Sequence, residues 1–379
     1  MNYDPHQLGT LTTTDINTRQ GLLAKIHLDL PLLSAIFLAI SLGLIILYSA
    51  SGNNFLMVEK QLIRIGIAFI VMFSVAQVSP STLCRWSPWL YIIGLLMLLS
   101  VLFFGDSSKG AKRWLDIGFI SFQPSEMMKL AVPFMIAWYF SEKKLPPKIT
   151  NLLLAGFLIL IPTILISKQP DLGTAVLIAI SGVFILFLAG LGWKIITLVV
   201  TLFASAAPFL WFTLHEYQQK RVLTFFDPEK DPLGAGYHII QSKIAIGSGG
   251  LYGKGWLNGT QSQLDFLPER HTDFIFAVLS EEFGLIGVLV LLILYLFIIF
   301  RGFYIATQAQ STFGRLLSGT LTLVFFVYVF VNMGMVSGLL PVVGIPLPLV
   351  SYGGTSLVTL MASFGILMSI HTHRKLVSK

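Results

Sequence analysis

The chain has 379 residues, of which 55% are hydrophobic and 11% are charged, and its formal net charge is +7. Its mean hydropathy of +0.80 excludes a soluble globular protein, because so few polar residues could not cover a core of that hydrophobicity. The apolar runs also lack the period-two alternation of β-barrel strands. In a membrane protein, the positive charge indicates the positive-inside bias and attraction to anionic head groups rather than nucleic-acid binding. The single cysteine, Cys84, excludes an intrachain disulfide.

These properties predict an all-α polytopic membrane protein with about ten spanning helices, each of roughly 20 apolar residues. Residues 1–28 lack the pattern of a cleaved signal and are interpreted as a cytoplasmic tail. One transmembrane domain is predicted over 29–371, with a large outer loop at 215–272, and 372–379 form a second cytoplasmic tail. The predicted spans are 30–50, 61–78, 88–104, 125–141, 151–167, 172–189, 193–214, 272–300, 312–337 and 353–371.

Basic residues indicate the orientation. With both termini inside, about twelve Lys and Arg residues lie in inner segments and five in short outer loops. Three of those five, Lys109, Lys112 and Arg113, fall in one outer segment beside Trp114. This cluster is either a head-group anchor or a clamp for a diphosphate, and we favour the clamp because an anchor does not need three cations on the disfavoured face.

Two segments depart from simple spanning helices. GAGYHIIQSKIAIGSGGLYGKGW predicts an amphipathic surface helix followed by a glycine-rich turn. That turn does not match a phosphate-binding Walker A loop, because Ser248 stands at the first glycine position and Gly255 at the Ser/Thr position. The prolines of PVVGIPLPLVSYGG predict non-helical backbone, which is tolerated in a membrane only where protein or a cavity covers it.

Asp273 is the first candidate for chemistry, because it lies where a polar, proline-bearing loop meets a long apolar run. An unpaired charge there must face water, a partner or a substrate, since its transfer into lipid would cost roughly several kcal/mol of free energy. In one interpretation Thr272 and Asp273 cap the next helix. In the other, Asp273 is a general base on the outer face, which the helix N-terminus keeps ionised.

Two further pairs of charged residues stand out. Glu281 and Glu282, about two turns deeper, are predicted to face the bundle interior and to make interhelical hydrogen bonds. Glu126 and Lys129 follow a helix start, and their spacing of three places them on one face as an ion pair. That pair either caps the helix, or Lys129 reaches an anionic substrate while Glu126 orients it.

Five segments together resemble the SEDS family of peptidoglycan polymerases and occur in the order found in that family. Arg270 in ERHTDF resembles the elongation-type members, because division-type members typically have EAHTDF. The resemblance extends from about Asp29 to Lys375. The segments are GAKRWLDIG, FQPSEMMKLAVP, QPDLGTA, ERHTDFIFAVLSEEFG and PLPLVSYGGTS.

The resemblance implies ten transmembrane helices in a bacterial inner membrane, with both termini cytoplasmic and the site facing the periplasm. It implies polymerisation of lipid II into β-1,4-linked glycan on undecaprenyl diphosphate, with a class B penicillin-binding protein as transpeptidase partner. It also implies roles for Asp273 as the essential acid, for Glu126 and Lys129 as a supporting pair, and for Arg113 and Trp114 in the outer cluster.

An inverting displacement of this kind needs a base for the acceptor hydroxyl and cations for the leaving diphosphate. Asp273 is the expected base, and substrate contacts are expected from Arg270 and His271 as well as the cations. No metal cage is evident, and a divalent cation, magnesium or manganese, could help to neutralise the diphosphate by binding through substrate oxygens and one carboxylate. The rival functions are a lipid II flippase, another transporter, and a non-catalytic scaffold. The residues expected to bind the diphosphate are the cations Lys112, Arg113 and Lys129 and the aromatic residue Trp114.

Overall fold

The computed structural model describes residues 26–104, 106–108, 111–116, 121–169, 171–213, 216–230, 234–264, 266–267 and 269–373. Most of the two predicted tails and Lys109 therefore lie outside the described residues. Within these ranges the chain forms α-helices, one 3₁₀ turn at Pro228–Lys230 and three short strands. In chain order they are α1 Leu30–Ala50, α2 Phe55–Ala76, α3 Pro80–Phe104, β1 Asp106–Ser108, β2 Ala111–Asp116, β3 Ser121–Phe122, α4 Pro124–Ser141, α5 Ile149–Ser167, α6 Leu172–Leu188, α7 Trp193–Thr213, α8 Glu216–Phe226, α9 Ala235–Gly249, α10 Thr260–Gln263, α11 Ile275–Gln308, α12 Thr312–Val336 and α13 Thr355–Thr372.

Every predicted span corresponds to one long helix of the described chain, which confirms the all-α polytopic fold. Six of these helices are long and apolar enough to cross a membrane by length and composition alone, and α6 is a shorter apolar helix. The largest boundary errors concern α3, which begins eight residues before the predicted start, and α11, which ends eight residues after the predicted end. Pro88 lies inside α3, since neighbouring helices allow a membrane helix to keep a proline.

A small antiparallel sheet follows α3 and was not predicted. Its strand order is β1-β2-β3, so the chain folds back twice before α4 begins. The central strand β2 contains Lys112, Arg113 and Trp114 and packs against α3 and α4. The basic cluster of the sequence therefore stands on a strand beside the start of α4.

The second half of the bundle is joined by aromatic contacts. The ring of Tyr295 on α11 meets Phe325 on α12 edge-on with centroids 5.6 Å apart, and Phe325 meets Phe364 on α13 at the same distance. The Tyr295 hydroxyl also donates to the carbonyl of Pro348 at 2.6 Å. The core of these three helices therefore holds the proline segment at a fixed place, which matters for the site described below.

Asp29 joins three helices at one end of the bundle. It caps α1 by accepting from the backbone N–H of Leu32, and Arg301 of α11 donates to both of its carboxylate oxygens at 3.0 and 2.5 Å. Nδ1 of His371 on α13 lies 2.7 Å from the same carboxylate. Burial alone would raise the pKa of Asp29, but the hydrogen bonds from His371 and Arg301 outweigh it and hold that pKa well below its usual range.

Replacing Asp29 with Ala is expected to destabilise the folded protein by about 3–5 kcal/mol, because it leaves the Arg301 charge unpaired beside a buried helix end. Thermal unfolding of the purified protein in detergent measures this change. The same substitution at Asp227, whose ion pair with Lys230 is exposed, is expected to cost at most about 1 kcal/mol. The Asp29 contribution is present at neutral pH and is lost as the pH falls through the lowered pKa. Equal losses for both variants would contradict the role given to Asp29.

Candidate active site

Asp273 lies just before the N-terminus of α11, one residue before the N-cap residue Phe274. Phe274 makes no side-chain capping bond, and the Thr272 hydroxyl donates to the carbonyl and carboxylate oxygens of Glu269 at 3.1 and 2.9 Å. The interpretation of Thr272 as a helix cap is therefore wrong. Asp273 is half-buried, and its Oδ2 lies next to Gly344 of the proline segment.

The backbone that carries Asp273 is fixed by three successive hydrogen bonds to its carbonyl oxygens. The carbonyl of His271 accepts from the Tyr352 N–H at 2.9 Å, and that of Thr272 accepts from the Ser351 hydroxyl at 2.6 Å. The carbonyl of Asp273 accepts from the Asn332 side-chain amide at 2.9 Å. Asn332 is fully buried on α12 and also donates to the Ile345 carbonyl at 2.7 Å. The segment 341–354, non-helical as predicted, therefore holds the Asp273 loop in place.

The predicted ion pair between Glu126 and Lys129 is confirmed. Lys129 Nζ lies 2.6 Å from Glu126 Oε1, and both side chains are nearly buried. The N-cap residue of α4 is Gln123, not Glu126, so the pair does not serve as the cap of this helix. Lys129 also lies 5.4 Å from the ring centre of Tyr328, which provides a second stabilising contact for a buried cation.

A cavity of about 60 Å³ connects this ion pair with the segment that holds Asp273. Glu126, Lys129 and Tyr328 form one wall, and Ser351 forms part of another. The Ser351 hydroxyl also donates to the Thr272 carbonyl. The segment that contains Ser351 therefore lines the cavity of the ion pair and also holds the loop of Asp273. The structure thus brings together elements that lie almost 150 residues apart in the sequence.

The remaining predicted site residues have different surroundings. Arg270 donates to the Ser262 carbonyl, which ties the loop to α10. The His271 ring meets Tyr352 edge-on at 6.0 Å. Burial lowers the pKa of His271 and Arg270 lowers it further, while Glu269 opposes both, so the imidazole is neutral at pH 7. Trp114 is half-buried, and the side chains of Lys112 and Arg113 lie outside the described atoms, so the choice between clamp and anchor stays a prediction.

Glu281 and Glu282 are buried and paired, but only Glu282 bonds between spanning helices. Its Oε1 accepts from the Ser49 hydroxyl of α1, as predicted. Glu281 instead accepts from Lys254 Nζ at 2.7 Å, the Thr260 hydroxyl at 3.0 Å and the backbone N–H of Gln261 at 3.0 Å. Glu281 therefore joins α11 to the short helix α10 and the glycine-rich turn of the outer loop, and not to another spanning helix.

The glycine-rich turn after α9 docks against a break in α11. The break is at Gly284, whose φ of 60° is not helical. The N–H groups of Lys254 and Gly255 donate to the carbonyls of Glu281 and Glu282, both at 3.0 Å. From the other side of the break, the N–H groups of 285 and 286 donate to the carbonyls of 250 and 251 at 3.0 and 3.2 Å. The turn thus satisfies backbone groups that an unbroken helix would satisfy itself.

The helix predicted within the outer loop is present as α9, but it is packed into the bundle. The Ser242 hydroxyl donates to the Val336 carbonyl of α12 at 2.7 Å, and Ile239 and Ala245 are buried. α9 also packs along α11. This packing explains how the turn that follows α9 reaches the break at Gly284.

Comparison with known proteins agrees with this architecture. The model of the family described as cell cycle protein, FTSW_RODA_SPOVE, matches residues 24–376. The chain belongs to this family. It is 56% identical over 367 residues to the peptidoglycan glycosyltransferase MrdB of Escherichia coli (strain K12), covering 97% of this chain and 99% of that protein. It is 35% identical over 363 residues to the stage V sporulation protein E of Bacillus subtilis (strain 168), covering 92% and 98%.

Two solved structures have a similar fold. A chain in the structure of a peptidoglycan synthase complex is 33% identical, with a TM-score of 0.80 and coverage of 92% of this chain and 99% of that one. The rod shape determining protein RodA of Thermus thermophilus is 29% identical, with a TM-score of 0.70 and coverage of 92% and 98%. Among the residues that the structure describes, no three His, Cys, Asp or Glu side chains group as a metal site.

Proposed function

We propose that Asp273 is the general base of a glycosyl transfer that extends glycan on a lipid carrier. The chain is a peptidoglycan glycosyltransferase of the elongation type, as its near full-length similarity to MrdB and RodA indicates. The substrate in this proposal is lipid II, and the growing strand is linked to undecaprenyl diphosphate. The observation that carries the assignment is the set of three hydrogen bonds that fixes the backbone of 271–273 and presents a half-buried carboxylate at a helix mouth.

In the proposed reaction, the acceptor hydroxyl oxygen attacks the anomeric carbon of the donor. The new bond between this carbon and the oxygen forms as the bond between the same carbon and the diphosphate oxygen breaks, which inverts the configuration. Asp273 takes the hydroxyl proton, and the diphosphate leaves with the electron pair of the broken bond. Lys129, with Lys112 and Arg113, is assigned to the leaving diphosphate, because clustered cations stabilise the charge that develops there. Glu126 orients Lys129 through their ion pair.

The proposed orientation places Asp273 on the periplasmic face of the inner membrane, with both termini cytoplasmic. The excess of basic residues in the inner segments supports it. A class B penicillin-binding protein is the proposed partner. The fold shared with a chain of a peptidoglycan synthase complex that couples polymerization to crosslinking supports this partner.

One observation favours a transporter as the second candidate function, namely the break in α11 next to Glu281 and Glu282. Broken helices with polar groups often form the binding sites of transporters. Here the glycine-rich turn fills the break, and Lys254 pairs with Glu281, so this polar site is already occupied by the chain itself. This filling favours the glycosyltransferase over a flippase.

Polymerisation of labelled lipid II by the purified chain tests the proposed substrate. The partner is added with its own active site disabled, so that any glycan comes from this chain. Labelled polymer is expected on a gel, and its digestion by a muramidase confirms its glycan bonds. Movement of lipid II across vesicles without any polymer would instead support the flippase.

Replacing Asn332 with Leu is expected to slow polymerisation by about 10²-fold, because loss of its two hydrogen bonds lets the Asp273 loop shift. Since Leu has a similar volume but no donor, the Michaelis constant for lipid II is expected to change little. The control is Ser337→Ala at the C-cap of the same helix, whose hydroxyl donates, among the described residues, only to carbonyls of α12. A wild-type rate for Asn332→Leu would show that the loop keeps its position without the amide.

A further inference from the structure

Arg64 is a charged residue inside a membrane helix, and no motif of the sequence drew attention to it. It lies three residues inside the predicted span 61–78, about 5 Å along that span on α2. Its side chain is half-buried, and within the part of the chain that the structure describes no carboxylate lies within ion-pair distance. Charged residues within membrane-spanning segments are rare and mark functional sites by default, because lipid cannot solvate them.

The Arg64 side chain is held against the segment that fixes Asp273. Its guanidinium lies 4.4 Å from the ring centre of Tyr352, and a Cβ added to Gly354 would approach its Nε to 3.7 Å. An aromatic ring attracts a cation but carries no net charge, so the positive charge of Arg64 is placed without being neutralised. The absence of a side chain at Gly354 leaves room beside the guanidinium.

Tyr352 connects this cation to the site. Its backbone N–H donates to the His271 carbonyl at 2.9 Å, and its ring contacts the His271 ring at 6.0 Å. One turn before Arg64 on α2, the Gln61 side chain accepts from the Gly353 N–H at 3.3 Å, which holds the same segment from the same helix. Arg64 therefore packs against Tyr352, whose backbone N–H fixes the carbonyl of His271, two positions before Asp273.

We propose that Arg64 binds the diphosphate of a polyprenyl-linked substrate. The inference rests on the proposed function, in which two diphosphate-linked substrates meet and only one diphosphate leaves. Lys129 reaches the cavity beside Ser351, whereas Arg64 stands at Tyr352 and Gly354 on a different helix, so the two cations mark two positions. The planar fork of a guanidinium matches phosphate oxygens by paired hydrogen bonds, and the neutral ring below it leaves those donors available.

Binding of undecaprenyl diphosphate to the purified full-length chain in phosphatidylcholine nanodiscs tests the proposal without requiring activity. The wild type is expected to bind undecaprenyl diphosphate at two positions, and Arg64→Ala and Arg64→Gln are each expected to weaken binding at one of them at least about tenfold, the size of a lost charge-assisted pair of hydrogen bonds, while the position at Lys129 remains. Arg64→Lys is expected to retain part of the affinity, because it keeps the charge without the fork. Lys60→Ala removes one charge from an exposed position of the same helix and is expected to bind as wild type.

Binding at both positions with wild-type affinity in a folded Arg64→Ala or Arg64→Gln variant overturns the proposal. An equal loss in Lys60→Ala overturns it as well, because the charge would then act only through general attraction. Asp273→Asn is expected to bind undecaprenyl diphosphate normally while failing to polymerise lipid II. If Arg64 governs binding but the wild-type chain makes no glycan, the proposed function fails and the diphosphate site stands.

Discussion

Replacing Asp273 with Asn is expected to lower the rate of lipid II polymerisation by about 10²–10⁴-fold, the usual contribution of a general base. The amide has the same shape but cannot accept the proton of the acceptor hydroxyl. The hydrogen bonds that hold this loop use the backbone carbonyls of 271–273 and are unaffected by the change of side chain. The turnover number is therefore expected to fall while the Michaelis constant for lipid II stays close to that of the wild type.

The measurement is the initial rate of glycan formation by purified protein, compared at equal amounts of folded protein. Glu269→Gln is the matched control, because it makes the same carboxylate-to-amide change in the same loop, at an exposed residue that contacts Thr272. This control is expected to keep most of the activity. A near wild-type polymer yield from Asp273→Asn would reject its assignment as the base.

The spanning helices could be predicted because a bilayer imposes a length on apolar runs, and that length is visible in the sequence. The sheet β1–β3 could not be, because its strands have at most six residues and no hydrophobic alternation to mark them. The break at Gly284 could not be predicted from the sequence either. It depends on donors and acceptors from a turn some thirty residues earlier, and glycine alone does not identify a break.

The site was predicted only where its geometry is local. The pairing of Glu126 and Lys129 follows from a spacing of three on one helix. The contact between 271–273 and 351–352 joins segments about eighty residues apart, and no spacing rule reaches that far. Asn332 and Arg64 did carry a signal, since each is a polar residue inside an apolar run. A polar residue in such a run indicates that its side chain needs an interaction partner, but only the fold shows which residue that partner is.

Replacing Gly253 with Ala is expected to detach the glycine-rich turn from α11. Its φ of 78° disfavours any residue with a Cβ, and that Cβ would overlap the carbonyl of Glu282. Displacing the turn removes the Lys254 N–H from the Glu281 carbonyl and the Lys254 ammonium from the Glu281 carboxylate. Because Glu281 is fully buried, losing its cation is expected to cost about 3–5 kcal/mol of stability.

Thermal unfolding in detergent measures this loss, and Gly247→Ala is the control. Gly247 lies within α9 with no atom within 4 Å of an added Cβ, so alanine there is expected to be neutral or slightly stabilising. Activity is expected to fall together with stability in Gly253→Ala, because Asp273 directly precedes the first part of α11, whose end at Gly284 would lose its supporting bonds. Equal stability of the two variants would mean that the break in α11 is maintained without the turn, and the link from this turn to Asp273 would then be lost.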